Sequence, residues 1–279
     1  MQGLNQPAQL VSDGSSLFVL AAFVAMLMAA LVALGYGRHA RHVRAEGGSA
    51  RLALWMLAAA SGALGSGVWA AMVLAVSGQS LGYAVGYRPV AAVALWIGAV
   101  VLAALALAPA AWKPRPSVVF GCGLVFGVGV ALLQIGLVVA IDAEPGVVWD
   151  GAGLAFAPLV AAAGGTGALW IVFLGAGRRG KRRREWRWAA AGLVALAVVV
   201  AQDLVLTTAA LAGQADSLAR RGGIPASAAA AVAGLAVPML LVAGLADLWL
   251  RRETRRKPQR STSREQRGRS ADTGGGLRR

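Results

Sequence analysis

The sequence predicts an all-α polytopic membrane protein of seven transmembrane helices, three helical-hairpin repeats plus a final helix, with the amino terminus outside and the carboxyl terminus inside. Three observations carry this. Of 279 residues, 58% are hydrophobic and only 14% charged, far from the balance of a soluble domain. The charges gather in short connectors between long uncharged runs. Alternate runs carry a polar or sulfur-bearing break, at Met72, Gln134 and Gln202, spaced by 62 and 68 residues.

Crossing a bilayer as a helix takes roughly 20 mostly apolar residues, because every backbone amide must find its hydrogen bond inside the segment. Residues 1–15 form a short external start without the basic head of a signal peptide, so the first run is read as a retained helix, Ser16 to Tyr36. The second spans Leu52 to Ser77 and the fourth Val118 to Ile141; Gly62, Gly65 and Gly67 in one, and Gly121, Gly123, Gly127 and Gly129 in the other, are small-residue patterns for close helix packing. The third runs from Val90 to Ala111 and the fifth from Gly153 to Leu174, where Pro158 predicts a kink. The sixth covers Ala189 to Ala212, with Gln202 and Asp203 inside it. The seventh covers Ala226 to Leu250, with Pro238 inside it and Asp247 near its end, four residues before Arg251 and so spaced for an i, i+4 ion pair. These spans make residues 16–250 one membrane domain, and the polar, Pro- and Gly-punctuated residues 251–279 a basic, disordered cytoplasmic tail.

Positive charge orients the bundle. The first, third and fifth connectors hold four, two and seven Lys or Arg, and the tail eleven, against only Arg88, Arg220 and Arg221 on the opposite side. Basic residues remain on the cytoplasmic face, which puts the tail inside. The same bias accounts for the pI of about 11.6 without nucleic acid; the expected contacts are the lipid bilayer and, for the tail, anionic lipid. Trp55, Trp112, Trp186, Trp188 and Trp249 fall near inner span ends, as interfacial rings do, while Trp69 and Trp96 fall deeper. Cys122 is the single cysteine, which excludes an intramolecular disulfide and a thiolate cluster within one chain.

Spans two, four and six run from inside to outside, and each has its break in the outer half, in GSGVWAAMVLAV, GVGVALLQIGLVVAI and AVVVAQDLVLTTAAL. Corresponding residues of parallel repeats lie at similar depth around an axis along the membrane normal. The candidate ligand or signal pocket is therefore Met72, Gln134, Gln202 and Asp203, with Trp69 beside it, and with Thr207 and Thr208 extending the polar cluster. Within it Asp203 is expected as a neutral acid or hydrogen-bonded to Gln134 or Gln202, since an unpaired buried charge is costly.

The three-hairpin plan, the segment RLALWMLAAASGALGSGVWAAMVLAV and the GALW stop of the fifth span resemble the MHYT domain of bacterial membrane sensors, over roughly residues 15–250. That family is named for a Met-His-Tyr-Thr motif at the outer end of each ascending helix. Val68 and Trp69 match the residues preceding its first Met-His pair, which falls on Ala71 and Met72. Gly129, Val130 and Ala131 are similar to its second Gly-Ile-Ala, with Met-His-Tyr on Leu133, Gln134 and Ile135; in the third repeat Ala201, Gln202 and Asp203 occupy those places. The resemblance implies sensing in a bacterial cytoplasmic (inner) membrane through a metal, copper in the family, held by His and Met. Amides do not replace imidazole and thioether as copper ligands, so the site reads as degenerate, with no cofactor expected and copper only if the site still functions. His39 and His42 fall in the first basic connector, among Arg38, Arg41 and Arg44, which disfavours a cation there.

Function is then expected to be non-enzymatic sensing or regulation, with the signal passed to a separate signalling partner, because the chain carries no output domain after the tail. No His or Cys stands beside a plausible nucleophile, and no catalytic residue is assigned. The alternative is a small transporter or channel in which Asp203 binds a proton or cation, since intramembrane carboxylates mark such pathways.

Overall fold

The computed structural model describes residues 8–9, 16–78, 86–141, 143–144, 147–149, 151–175, 181–211, 216–217 and 223–247. Seven of its helices are long and apolar enough to cross a membrane. They are α1 (Ser16–Ala45), α2 (Ala50–Ser77), α3 (Pro89–Trp112), α4 (Pro116–Val139), α5 (Gly151–Leu169, continued by a π turn at Trp170–Leu174), α6 (Lys181–Thr208) and α7, which starts at Ala226–Ala231, widens into a π turn at Val232–Ala236 and runs to Asp247. The chain is thus a multi-pass membrane protein. Pro89 and Pro116 open their helices, where the missing N–H would have had no intrahelical partner anyway. In α7 the π turn immediately precedes Pro238, whose ring cannot sit in an ordinary α turn without losing a hydrogen bond to the carbonyl before it.

Several boundaries differ from the hydropathy reading. α1 continues well past Tyr36 to Ala45, and α6 begins at Lys181 instead of Ala189. Apolar runs mark where the bilayer ends, whereas a helix continues into water when its residues are good helix formers, and Arg and Lys are. His42 and Arg44 in the last turn of α1 also complement the helix dipole. His39 and His42 therefore lie on a helix and not in a loop. α6 stops at Thr208, because the next three residues pair as a strand. Trp249, Leu250, Arg251 and the tail expected over 251–279 lie outside the described residues, as do residues 1–7 and 10–15 of the amino-terminal segment.

Seven short strands join the connectors: β1 (Ala8–Gln9), β2 (Gly86–Tyr87), β3 (Ala143–Glu144), β4 (Val147–Trp149), β5 (Ala209–Leu211), β6 (Asp216–Ser217) and β7 (Ile224–Pro225). They pair antiparallel as β1-β5-β4, β2-β7 and β3-β6. All belong to segments before α1 or after α2, α4 and α6, so they gather at one end of the bundle, the strand end. The Lys- and Arg-rich connectors lie at the other, the basic end.

Neighbouring helices pack in the order α1, α2, α3, α4, α5, α6 and back to α1, closing a six-helix ring; α2, α4 and α6 also meet one another across its interior. α7 lies outside the ring, its first part (226–236) mainly against α2 and its far end against Val32 and Tyr36 of α1. The ring closes by backbone approach. A Cβ on Gly127 would overlap the backbone of Ala162 in α5, and one on Gly65 the backbone of Val100 in α3. Lipid tails are as apolar as leucine, so dispersion between closely fitted helices replaces the hydrophobic drive. Gly62 and Gly121, read from the sequence as part of the same pattern, face open space instead.

At the basic end Trp55, Trp112, Trp186 and Trp188 are all exposed, and the Arg44 guanidinium lies 5.3 Å over the Trp112 ring. There too Tyr36 Oη donates to Asp247 Oδ2 at 2.6 Å, tying α7 to α1 in a contact the sequence reading did not assign to Asp247.

Candidate functional site

Met72, Gln134 and Gln202 stand five, five and six residues before the last residues of α2, α4 and α6. Helices of one direction with matching setbacks place the three at similar depth in the strand-end half. All three are buried, with exposures of 0%, 0% and 2%. Gln134 Nε2 donates to the Val198 carbonyl oxygen at 3.2 Å, which brings α4's amide onto the α6 turn just before Gln202. Helical side chains lean toward the amino terminus, so the Gln202 side chain covers that same turn. The Gln134 amide thus meets the turn of α6 that precedes Gln202 without bonding the Gln202 amide, and Met72 is buried on α2, the third helix of the interior.

The hydrogen-bond inventory of this pair is incomplete. Gln134 Oε1, Gln202 Oε1 and Gln202 Nε2 are buried without a partner. Leaving such an atom unsatisfied costs about 1–3 kcal/mol, so the three open positions are a standing demand for a molecule that both donates and accepts.

Asp203 does not join them. It is exposed on α6, while Gln202 before it is buried. Successive residues of a helix point about 100° apart, so a register that turns Gln202 inward turns Asp203 away. It lies close enough to the end of α6 for headgroups and water to reach it. The expected bond to Gln134 or Gln202 is absent: the one amide bond of this pair goes to Val198, and both atoms of the Gln202 amide are open. The threonines also leave the cluster, since Thr207 and Thr208 give their hydroxyl protons to the Leu204 and Val205 carbonyls of their own helix.

Trp69 lines a different space. A cavity of about 380 Å³ lies between α2, α3 and α7 beneath the β2-β7 pair, walled by Trp69, Trp96, Tyr87 and aliphatic side chains of α7. Trp96, expected inside the bundle, is 42% exposed, and its indole N–H donates to Ser66 Oγ at 3.1 Å. Tyr87 is only 1% exposed, and its hydroxyl, like Trp69 Nε1, has no hydrogen-bond partner. Burial pushes the Tyr87 phenol above its usual range; the nearby Ser77 hydroxyl opposes this weakly, its own proton bonded to the Val73 carbonyl. The sequence reading missed Tyr87, whose only signal was an aromatic residue directly ahead of the Arg-Pro that opens α3.

Among the described residues no group of three or more His, Cys, Asp or Glu side chains is placed to hold a metal ion, and Cys122 is a buried free thiol in α4. No protein-family model, curated protein or solved structure matches the chain.

Proposed function

We propose that this chain is a non-enzymatic membrane sensor or regulator of the MHYT type, in which a polar amide site stands where the family carries its metal. The observation that carries this is that Gln134 on α4 and Gln202 on α6 are both buried, the Gln134 amide bonded to Val198 one turn before Gln202, with three open hydrogen-bonding atoms between the two side chains. Carboxamides are poor copper ligands but good partners for a small neutral molecule that both donates and accepts. A ligand there touches helices that meet across the ring, and it shifts their packing to the extent that it binds one arrangement better than another. The basic end, with the Lys and Arg of the odd connectors, is assigned to the cytoplasm of a bacterial inner membrane and to the signalling partner; anionic lipid is the natural contact of the tail. The transporter reading gains no support from Asp203, whose side chain is exposed on α6 and away from the ring interior.

Metal analysis of the full chain, purified in detergent from copper-supplemented cells, tests the reading. The expected result is copper far below one ion per chain, and no change in that content for Met72→Leu or Gln134→Leu. Stoichiometric copper lost in either variant means that the metal site is intact and the amide reading wrong. A reporter fused to the carboxyl terminus should be active only as a cytoplasmic fusion; activity as an external one reverses the orientation.

A further inference from the structure

The geometry points to a second ligand site, the cavity between α2, α3 and α7, for an uncharged ring compound with a carbonyl oxygen, of the quinone class, taken up sideways from the bilayer. At about 380 Å³ the space is in the range of small-molecule sites and admits a substituted ring with the start of an alkyl chain. Among the described residues its walls hold no Asp, Glu, Lys, Arg or His, which argues for a neutral occupant. Two of its polar groups are buried donors that make no well-formed hydrogen bond: the indole N–H of Trp69, which can only donate, and the Tyr87 hydroxyl, which has only the Ser77 hydroxyl nearby. Ser66 Oγ is already engaged as the acceptor for Trp96. The missing complement is an acceptor on an otherwise apolar body, and a carbonyl oxygen supplies it. Three aromatic side chains among the walls favour a flat ring over a flexible chain, since rings gain from offset or edge contacts.

The route of entry is written in the rim. Val93, Val232 and Leu240 border the cavity and are 53%, 50% and 73% exposed on the lipid-facing surface. The α7 wall includes Val232 and Ala236, the ends of the π turn, so the irregular part of the peripheral helix borders the opening. At the strand end Ile224 and Tyr87, directly paired between β7 and β2, close the cavity from above.

A benzoquinone with a short alkyl chain, titrated into the full chain in lipid nanodiscs with empty nanodiscs as the blank, tests this. Saturable binding of one molecule per chain is expected. Tyr87→Phe keeps the ring and deletes one donor, and Trp69→Phe deletes the other while leaving a smaller aromatic ring, so each should weaken binding about three- to tenfold. Ala229→Phe, which fills the cavity, should abolish it. Gln134→Leu and Gln202→Leu should leave it unchanged, so that failure of the amide site and failure of this one are told apart. Without ligand, Tyr87→Phe should unfold at the same temperature or higher, because an unpaired hydroxyl is removed, and this guards against reading misfolding as lost affinity. The inference is overturned if only non-saturable partitioning is seen or if both donor deletions bind as the parent does. It is equally overturned if an alkylbenzene without a carbonyl binds as tightly as the quinone, or if an acylglycerol competes with equal affinity and the same dependence on Trp69 and Tyr87.

Discussion

The six-helix ring and α7 are held by different means. Around the ring backbone meets backbone, as where Gly127 faces Ala162 and Gly65 faces Val100. α7 meets the ring through side chains: Gly234 lies against the tip of Leu74 and Gly244 against Val32. Only 22% of the most apolar stretch of α7 is buried, against 67% in α2. Its other fastenings among the described residues include the β2-β7 pair at one end and the Tyr36 to Asp247 hydrogen bond at the other. In lipid, a helix without close backbone contact has little to hold it, since leaving the bundle exposes nothing to water. The ring is thus a scaffold with a polar centre, and α7 is the element whose position is cheapest to change.

The severest way to break this contrast is to spoil the ring. Gly127→Leu forces a side chain into the backbone of Ala162, and overpacking of this kind costs about 3 kcal/mol or more where the neighbour is main chain and cannot yield. Denaturant or thermal unfolding in detergent should show the loss across all six ring helices. Gly121→Leu, which adds the same side chain toward open space, should change the midpoint little. Equal effects of the two would remove backbone approach as the reason the ring closes.

Next in size is the polar centre. Gln202→Leu removes two unpaired buried atoms, and without ligand it should stabilise the protein by about 1–3 kcal/mol. Gln134→Leu removes one unpaired atom and one real bond to Val198, terms of opposite sign, so its effect should be smaller. If Gln202→Leu destabilises instead, the amide is already satisfied in the purified protein, and mass spectrometry of the co-purified material identifies by what.

How far these sites were legible in the sequence follows from which physics each one rests on. Long apolar runs report burial in lipid directly, so all seven helices were legible, whereas the ends of α1 and α6 were not, because helix propensity outlasts hydropathy at Arg38–Arg44 and at Lys181–Arg187. The shared depth of Met72, Gln134 and Gln202 was visible in the spacing of polar breaks. The facing of Asp203 was not, since one residue of helical register separates inward from outward and the repeat alignment was no finer than that. Of the cavity beside α7 the sequence marked only Trp69 as a site residue, and assigned it to the polar site instead. The cavity depends on residues 86–87 pairing with 224–225 and on a π turn ahead of Pro238, features that arise only when distant segments meet.

A gentler change acts on α7 alone. Tyr36→Phe deletes the bond to Asp247 and leaves the ring packing of the phenyl group in place. A hydrogen bond to a carboxylate contributes about 1.5–3 kcal/mol, and the lower part of that range applies to a contact only partly buried. Hydrogen exchange in detergent should show amides of residues 237–247 exchanging several-fold faster, with the interior amides of α2 and α4 unaffected. Equal acceleration in both regions would mean that α7 is part of the scaffold and not an appendage to it.

The smallest effect is a pH dependence at the other end of the same helix. Burial raises the Tyr87 phenol above its ordinary value of about 10, which means that the folded protein holds this proton more tightly than the unfolded chain does. The penalty for burying the phenolate is therefore absent below about pH 10, and the folded state loses stability as pH rises from there toward the raised folded value. Because Tyr87 pairs with Ile224 immediately ahead of α7, the loss should appear first as faster exchange at residues 224–231, before any change in the ring. The comparison that isolates this phenol is Tyr87→Phe, in which the early opening of 224–231 above pH 10 should vanish. If the variant opens with the same pH profile, ionisation of Tyr87 is not what opens the strand end of α7, and the β2-β7 backbone pair holds it independently of that phenol.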